Sequence, residues 1–164
     1  MSKLRLSGII NDSIVDGPGI RLTVFVQGCP HHCEGCHNPQ THAFDGGYEG
    51  DTDEILEQVK RNPLLRGITL SGGEPFCQPE PLTELAKQVH ALGLDVVTYS
   101  GYTFEEILQH PPMLPLLEQT DILIDGRFEL AKRDLLLHFR GSSNQRILDV
   151  KQSLICGRAV EMEV

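Results

Sequence analysis

The chain has 164 residues, of which 40% are hydrophobic and 23% charged, and its formal net charge at pH 7 is −9. This size and composition predict a single globular domain over residues 1–164. The acidic balance, with no run of Lys or Arg, argues against binding to nucleic acid or to an anionic membrane surface. Neither a signal-peptide pattern nor an apolar stretch of about 20 residues is visible, so we expect a cytoplasmic protein.

Five short stretches have the composition of β-strands. Each contains β-branched or aromatic residues, and most are bounded by Gly, Pro, Asn or Asp, a pattern typical of strands. They cover residues 21–28, 67–73, 94–101, 121–126 and 145–150.

Helical patterns separate these strands. Residues 51–62 have apolar side chains on one helical face behind a capping-box pattern of Asp51 and Glu54. Residues 79–93 form the clearest apolar stripe, and Gly93 is typical of the position just past a helix end. A shorter helix is predicted to begin near Thr103.

Alternating strands and helices predict βαβ units, and hence a parallel sheet with right-handed crossovers. Roughly five units of about 30 residues each fill the chain, which is too short for an eight-unit barrel of about 250 residues. We therefore predict an α/β fold, either a truncated, open parallel (βα) partial barrel or an open sheet. The unusual motifs at residues 27–36, 71–74, 100–102 and 125–127 all follow predicted strands, so we expect them to meet at one mouth.

Three of the five cysteines lie in the segment "QGCPHHCEGCHNP" (27–39), as Cys29, Cys33 and Cys36 with the spacing C-x3-C-x2-C. An odd number of cysteines clustered in this way, in a chain expected to be cytosolic, indicates metal-binding or catalytic thiols rather than disulfides. The neighbouring Gly and Pro residues disfavour a helix, so we expect the thiols on a loop.

Two kinds of metal site fit this loop. A zinc ion would take the three thiolates and one of His31, His32 or His37 in a tetrahedral site. An iron–sulfur cubane is usually held by four thiolates, so three would leave one iron open to a small ligand. A molecule with an amino and a carboxylate group would chelate that iron.

Several motifs together resemble the radical S-adenosylmethionine superfamily. The cysteine spacing is followed one βα unit later by "SGGEP" (71–75). The segment "DGPGIRLTVFVQGCPHHCEGCHNPQTH" (16–42) is similar to the activases of glycyl radical enzymes. Within these, "DILIDGRF" (121–128) and "RGSSNQR" (140–146) resemble the activases of anaerobic ribonucleoside-triphosphate reductases.

The resemblance implies a [4Fe–4S] cluster held by Cys29, Cys33 and Cys36, with S-adenosylmethionine on the fourth iron. It implies that an electron from flavodoxin or a similar one-electron donor cleaves this cofactor and yields a 5′-deoxyadenosyl radical. The radical would then remove a hydrogen from a glycine Cα in the large catalytic subunit of the anaerobic ribonucleoside-triphosphate reductase.

The resemblance also implies the residues that contact the cofactor. Gly73 and Glu74 would contact its methionyl amino group, while Gly35, Cys36 and His37 would line its adenine side. Most of the other histidines near the cysteines are expected to be solvated.

Three further residues are candidates for the cofactor site. Ser100 would lie beside the cofactor, or would belong to an ordinary β-to-α turn. Arg127 would hold the cofactor carboxylate with Asp125 nearby, or these two residues would form a local surface pair of little energetic value. Residues 140–145 are either an exposed turn or a contact with the ribose or the reductase.

Alternative functions stay open at this point. The chain would be the activase of another glycyl radical enzyme, of the pyruvate formate-lyase type, or a small-molecule radical enzyme such as a deazapurine synthase. In a different class, it would be a Zn-binding interaction module. Cys77 and Cys156 have no predicted role.

Overall fold

One seven-stranded sheet organises the computed structural model, which describes residues 2–164. Its strands are β1 (Lys3–Ser13), β2 (Arg21–Val26), β3 (Tyr48–Asp51), β4 (Gly67–Gly72), β5 (Asp95–Ser100), β6 (Ile122–Asp125) and β7 (Arg146–Asp149). The α-helices are α1 (Thr52–Lys60), α2 (Pro79–Ala91), α3 (Phe104–Leu108), α4 (Leu114–Gln119) and α5 (Val150–Cys156). Short 3₁₀ helices lie at Pro39–Thr41, Pro75–Cys77, Pro111–Met113 and Leu130–Lys132. Over the described residues, no helix has both the length and the apolar character that crossing a membrane requires.

The centre of the sheet is parallel and its edges are antiparallel. The strand order is β3-β1-β2-β4-β5-β6-β7, in which β2, β4, β5 and β6 pair in parallel. The pairs β1–β2, β1–β3 and β6–β7 are antiparallel. The prediction of an α/β fold with a parallel sheet is therefore confirmed for the four central strands.

The last predicted strand exists, but it does not extend the parallel sheet. β7 pairs antiparallel with β6, with Leu123 opposite Leu148. A parallel neighbour needs a crossover that returns the chain to the same end of the sheet, usually through an α-helix. Residues 126–145 contain only the 3₁₀ helix Leu130–Lys132, so the chain turns back beside β6 instead.

The predicted helices form with the expected end residues. Asp51 caps α1 by accepting a hydrogen bond from the Asp53 amide at 2.9 Å, without the reciprocal bond from Glu54 that the capping-box pattern predicted. α2 ends at Ala91, and Gly93 adopts φ +80°, as expected just past a helix end. The complete capping box lies at α3 instead, between Thr103 and Glu106.

The two faces of the sheet are covered differently. Buried apolar side chains of all five helices join one large core against the strand residues Leu22, Leu70 and Leu123. Side chains on the opposite face form a smaller cluster with partly buried residues from the irregular segments. That cluster contains Val97, Tyr99, Ile122, Ile124, Phe139, Ile147 and Met162. Helices therefore pack on one face only, and we call the other the helix-free face.

A buried arginine anchors the turn that precedes β2. Arg21 is fully buried, and its guanidinium donates to Thr69 Oγ1 at 2.8 Å, to the Pro18 carbonyl at 2.9 Å and to the Ile68 carbonyl at 2.7 Å. It also forms an ion pair with Asp95. Burial lowers the pKa of Arg21, whereas the hydrogen bond to Asp95 raises it. One side chain thus joins the turn at residues 16–19 to three neighbouring strands.

Replacing Arg21 with methionine is expected to lower the free energy of unfolding by about 3 kcal/mol, because Asp95 and two carbonyls would lose a buried charged donor. The matched control is Arg61→Met, since Arg61 is exposed at the end of α1; it should change stability by less than about 0.5 kcal/mol. Urea unfolding followed by circular dichroism measures both. Equal effects of the two substitutions would mean that the buried network does not stabilise the fold.

Candidate functional site

A cleft of about 500 Å³ opens on the helix-free face, at the C-terminal ends of β2, β4 and β5. Its walls come from residues far apart in the sequence. They include Cys29, His31, Cys33, Cys36 and His37 from one loop, Ser71, Gly72 and Gly73 after β4, Tyr99, Ser100 and Gly101 from the end of β5, and Gly126 and Phe128 after β6. The prediction that the motifs following four strands meet at one mouth is confirmed.

The cysteine loop leaves β2 at Gly28, where φ is +104° and favours glycine. Backbone bonds then hold the loop, with the Gly28 amide donating to the Thr41 carbonyl at 2.7 Å and the Glu74 amide donating to the Gly28 carbonyl at 2.8 Å. A Cβ on Gly73 would collide with the Gly28 carbonyl oxygen. The glycine at position 73 therefore lets the turn after β4 pack directly against the start of the cysteine loop.

The Asn38 amide donates a hydrogen bond to Cys36 Sγ at 3.4 Å. Burial raises the pKa of the Cys29 and Cys33 thiols, and the nearby backbone N–H groups of His31 and Phe128 lower it. Such donors stabilise thiolate sulfur, which is the form that binds metal, and they are typical of iron–sulfur sites.

The arrangement of these thiols bears on the kind of metal group that they suit. A four-iron cluster is usually held by Cys thiolates. Three thiols on one cleft wall, one of them with a bonded amide N–H, have the chemistry that such a cluster needs.

Glu74 lies behind the cleft wall and is fully buried. Its carboxylate is 2.7 Å from His31 Nε2 and accepts hydrogen bonds from the Gly101 amide at 2.8 Å, the Ser100 hydroxyl at 2.9 Å and the Phe76 amide at 3.0 Å. Glu74 thus connects the cysteine loop to the end of β5. Both carboxylate oxygens already have donors from the protein, and they do not line the cleft.

His31 is not the solvated loop residue that we expected of most histidines in this segment. Its side chain is only 4% exposed and packs edge-on against Tyr102, with ring centroids 4.5 Å apart. The reason for the difference is its bond to Glu74, which draws the imidazole inward from a position between two cysteines. His37, in contrast, lines the cleft and lies against Phe128, as a residue on the cofactor side would.

Asp125 and Arg127 do not form the surface pair that was one reading of the sequence. Asp125 is fully buried and holds Arg146 through two bonds of 3.0 and 2.6 Å, and it also accepts the Phe104 amide at 2.7 Å. Arg127 pairs with Glu106 at 3.2 and 3.3 Å. The surface-pair interpretation is wrong because each side chain has a partner on another segment.

The candidate residues differ in their position relative to the cleft. Ser100, Gly73, Cys36 and His37 line it, whereas Gly35, Glu74, Asp125 and Arg127 are not part of its lining. Arg127 is near enough, however, to lower the pKa of Cys33.

Replacing Asp125 with asparagine is expected to lower the free energy of unfolding by about 2–3 kcal/mol, since Arg146 would lose a buried partner. The hydrogen bond to Asp125 raises the pKa of Arg146, so this guanidinium is charged at neutral pH. Glu106→Gln is the matched control: it removes an exposed pair and keeps a residue suited to the capping box, so less than about 1 kcal/mol should be lost. Thermal unfolding measures both, and an Asp125→Asn protein as stable as the control would contradict the structural role.

The loop at residues 140–145 forms part of the cleft wall and is not an exposed turn. Gln145 accepts the Gly141 amide at 2.8 Å and donates to the Gly126 carbonyl at 3.0 Å, which fixes the loop to the end of β6. Ser142 is fully buried. Arg140 and Gly141 line the cleft.

Several residues of the cleft were not among the predicted candidates. Phe25 and Tyr99 line it, as does Asp16, whose carboxylate accepts the Ser13 hydroxyl at 2.6 Å. Strand alternation would have found two of them, because Phe25 and Tyr99 lie on the strand face opposite that of Val24 and Val96, which join the main core.

Comparisons with known proteins agree with this geometry. Residues 15–148 match the family model described as a 4Fe-4S single cluster domain. The anaerobic ribonucleoside-triphosphate reductase-activating protein of Pasteurella multocida is 38% identical over 143 residues, which cover 82% of this chain and 90% of that protein. The Escherichia coli K12 protein of the same name is 34% identical over 141 residues, with 80% and 90% covered.

Two further matches cover a smaller share of the matched protein, and one of them also has a much lower sequence identity. The pyruvate formate-lyase-activating enzyme of Clostridium pasteurianum is 39% identical over 131 residues, which cover 74% of this chain but 55% of that enzyme. The crystal structure of QueE from Escherichia coli superposes with a TM-score of 0.52 at 15% identity, over 62% of this chain and 54% of that one. This last likeness supports the fold alone.

The cleft with its three thiols and the matched family model define the class, a protein with a single-cluster iron–sulfur domain. Two of the sequences reported above match over most of both lengths, and these two share one name. The chain belongs to the family of anaerobic ribonucleoside-triphosphate reductase-activating proteins.

Proposed function

We propose that this protein is a radical S-adenosylmethionine activase that generates a glycyl radical on the large catalytic subunit of an anaerobic ribonucleoside-triphosphate reductase. One observation carries the proposal. The three thiols of the C-x3-C-x2-C loop share a cleft with the Gly-Gly-Glu turn, in a chain 38% identical to a reductase-activating protein. An oxidoreductase of this kind would work in the cytoplasm with a flavodoxin-like or similar one-electron donor.

In this proposal, Cys29, Cys33 and Cys36 hold a [4Fe–4S] cluster, and S-adenosylmethionine occupies the cleft beside them. When bound, these groups supply one-electron cleavage of a sulfonium and removal of a hydrogen atom from a glycine Cα. Thiolate ligation is supported by the Asn38 amide bond to Cys36 Sγ and by the backbone N–H groups that lower the pKa of Cys29 and Cys33. The protein itself contributes positioning and protection of this chemistry.

Different residues of the cleft are proposed to contact different parts of the cofactor. Gly35, Cys36 and His37 are proposed to line the adenine side, which the position of His37 against Phe128 supports. Gly73 is proposed to meet the methionyl amino group, with Ser100 beside it in the cleft wall and Glu74 bonded to Ser100 from behind that wall. Asp125 and Arg127, the two remaining candidates, would then act on the cofactor from outside the cleft lining.

We further infer that the helix-free face is the inner surface of a truncated, open partial barrel. Its four parallel strands present the cleft on a side that no helix covers. Exposed apolar residues line the cleft on this side, among them Val15 at 69% exposure and Ile10 at 51%. A docked reductase would cover them and keep water and stray hydrogen donors from the reaction.

Electron paramagnetic resonance on a mixture with the purified reductase tests this function. The reconstituted, reduced protein with S-adenosylmethionine is expected to produce an organic glycyl signal on the reductase. A reductase whose radical-site glycine is alanine is the control and should give none. Cofactor cleavage without any radical on the intact reductase would contradict the assignment of the partner.

A second candidate has one specific observation in its favour. The chain is 39% identical to a pyruvate formate-lyase-activating enzyme over 131 residues. The same resonance experiment with pyruvate formate-lyase in place of the reductase separates the two, since activation of only one target is expected.

A further inference from the structure

Arg140 is the one Lys or Arg side chain that lines the cleft over residues 2–164. Three other arginines of the surrounding segments form ion pairs with carboxylates: Arg21 with Asp95, Arg127 with Glu106 and Arg146 with Asp125. Within the same described part of the chain, Arg140 has no carboxylate at ion-pair distance. The cleft therefore contains one guanidinium whose charge is not matched by the protein.

The hydrogen bonds of Arg140 are also incomplete. Its Nη1 donates to the Gln145 carbonyl at 3.2 Å, while its Nε is buried and has no acceptor among the described residues. A buried donor without a partner costs about 1–3 kcal/mol, more for a charged group, and such donors are rare in folded proteins. Unpartnered N–H donors in the wall of a cleft can bind an anionic ligand.

The backbone around Arg140 is held firmly in place. Gln145 accepts hydrogen bonds from the amides of Gly141 and Ser142, at 2.8 and 3.2 Å. A Cβ built on Gly141 would lie 3.4 Å from the His37 ring and 3.0 Å from Phe128, so this loop packs closely on the cysteine side of the cleft. Such preorganisation reduces the entropy lost when a ligand binds.

The other side of Arg140 is unfavourable for an anion. There it borders a second cavity, of about 630 Å³, that is also lined by Glu161 and Glu163. These carboxylates are not bonded to Arg140, and their negative charge would repel a second anion. The cleft side has one carboxylate residue, Asp16, which accepts hydrogen bonds from the Ser13 and Thr23 hydroxyls. An anionic ligand of Arg140 is therefore favoured on the cleft side.

We propose that Arg140 binds the α-carboxylate of S-adenosylmethionine, the role that the resemblance implied for Arg127. This inference rests on the proposed function. A guanidinium fork suits a carboxylate because it donates two parallel hydrogen bonds. The ammonium and sulfonium groups of the same cofactor are cationic, which leaves the carboxylate as the group that Arg140 attracts.

Isothermal calorimetry on the reconstituted, oxidised protein tests the inference without cofactor cleavage. The two ligands are S-adenosylmethionine and its decarboxylated analogue, which keeps every other group. Arg140→Gln is expected to weaken binding of S-adenosylmethionine roughly 10- to 100-fold and to leave binding of the analogue within about twofold. Arg140→Lys keeps the charge without the fork and should fall between.

Two further variants serve as comparisons. Arg133→Gln removes the same charge from an exposed position of the same irregular segment and should bind both ligands as the unsubstituted protein does. Arg127→Gln tests the alternative residue. Iron content and melting temperature are checked for each variant, and if Arg140→Gln loses its cluster, Arg140→Lys decides the question.

Equal weakening of both ligands by the Arg140 variants, or of neither, would overturn the inference. So would a carboxylate-selective loss in Arg127→Gln. The proposed function fails separately if the unsubstituted protein, with its cluster intact, binds neither ligand.

Discussion

Replacing Cys33 with alanine is expected to abolish the cluster, with iron falling from about four atoms per chain to background after anaerobic reconstitution. The same loss is expected for Cys29 and Cys36, because a cluster with only two thiolate ligands from one loop would be released. Visible absorbance and iron analysis measure the loss. Circular dichroism should remain native, since the half-buried Cys33 contributes little to the core.

Cys156→Ala is the matched control for these substitutions. Cys156 is exposed at the end of α5 and outside the cleft, so its loss should leave the iron content unchanged. Cys77 provides a further comparison, because it is half-buried and burial raises its pKa to about 11. Its replacement with alanine should also leave the iron content unchanged. A Cys33→Ala protein that still binds a full cluster would show that a different set of thiols holds it.

Replacing Glu74 with glutamine is expected to weaken both the fold and the cluster. The amide would point an N–H group at donors that now bond a buried carboxylate, so about 2–4 kcal/mol of stability should be lost. Because Glu74 holds His31 between the cysteines Cys29 and Cys33, iron should also be lost faster to a chelator. Urea unfolding and iron-release kinetics measure the two effects.

The control for Glu74 is Glu80→Gln on the exposed start of α2, which should change stability by less than about 0.5 kcal/mol. The two measurements separate a structural role from a ligand role. Weaker binding of S-adenosylmethionine at full stability and normal iron retention would mean that Glu74 acts on the cofactor alone.

The central strands and the main helices were predictable because their patterns are local. β2, β4, β5 and β6 lie within the predicted stretches, and α1 and α2 lie within theirs. β1 was missed because its register shifts beside Gly8 and before Ser13 interrupt any simple alternation. β3, of sequence YEGD, has little strand propensity and depends on pairing with β1.

The direction of β7 and the helices α4 and α5 were not predicted, and the reason is different. Periodicity identifies a strand but not its direction, which depends on the connection that precedes it. α4 begins one residue before Pro115, and both helices are short, so neither gave a clear apolar stripe.

The location of the site followed from the sequence, but the hydrogen bonds and ion pairs between its side chains did not. Loops after neighbouring parallel strands meet at one edge, so the motifs alone indicated the cleft. The bond from Glu74 to His31 spans 43 residues, and the pair of Asp125 with Arg146 spans 21. Such contacts depend on the packed tertiary structure, and no spacing rule reveals them. For the same reason, one reading of the sequence assigned the cofactor carboxylate to Arg127, whereas in the structure Arg127 pairs with Glu106 and Arg140 lines the cleft.

The most direct test of the account is the resonance spectrum of the anaerobically reconstituted, reduced protein with and without S-adenosylmethionine. We predict a brown, oxygen-sensitive protein whose reduced-cluster spectrum changes when the cofactor is added, because the proposal has the cofactor bind the iron that three cysteine ligands would leave open. A colourless, air-stable protein with one zinc ion per chain would contradict the account, as would a cluster spectrum that the cofactor leaves unchanged.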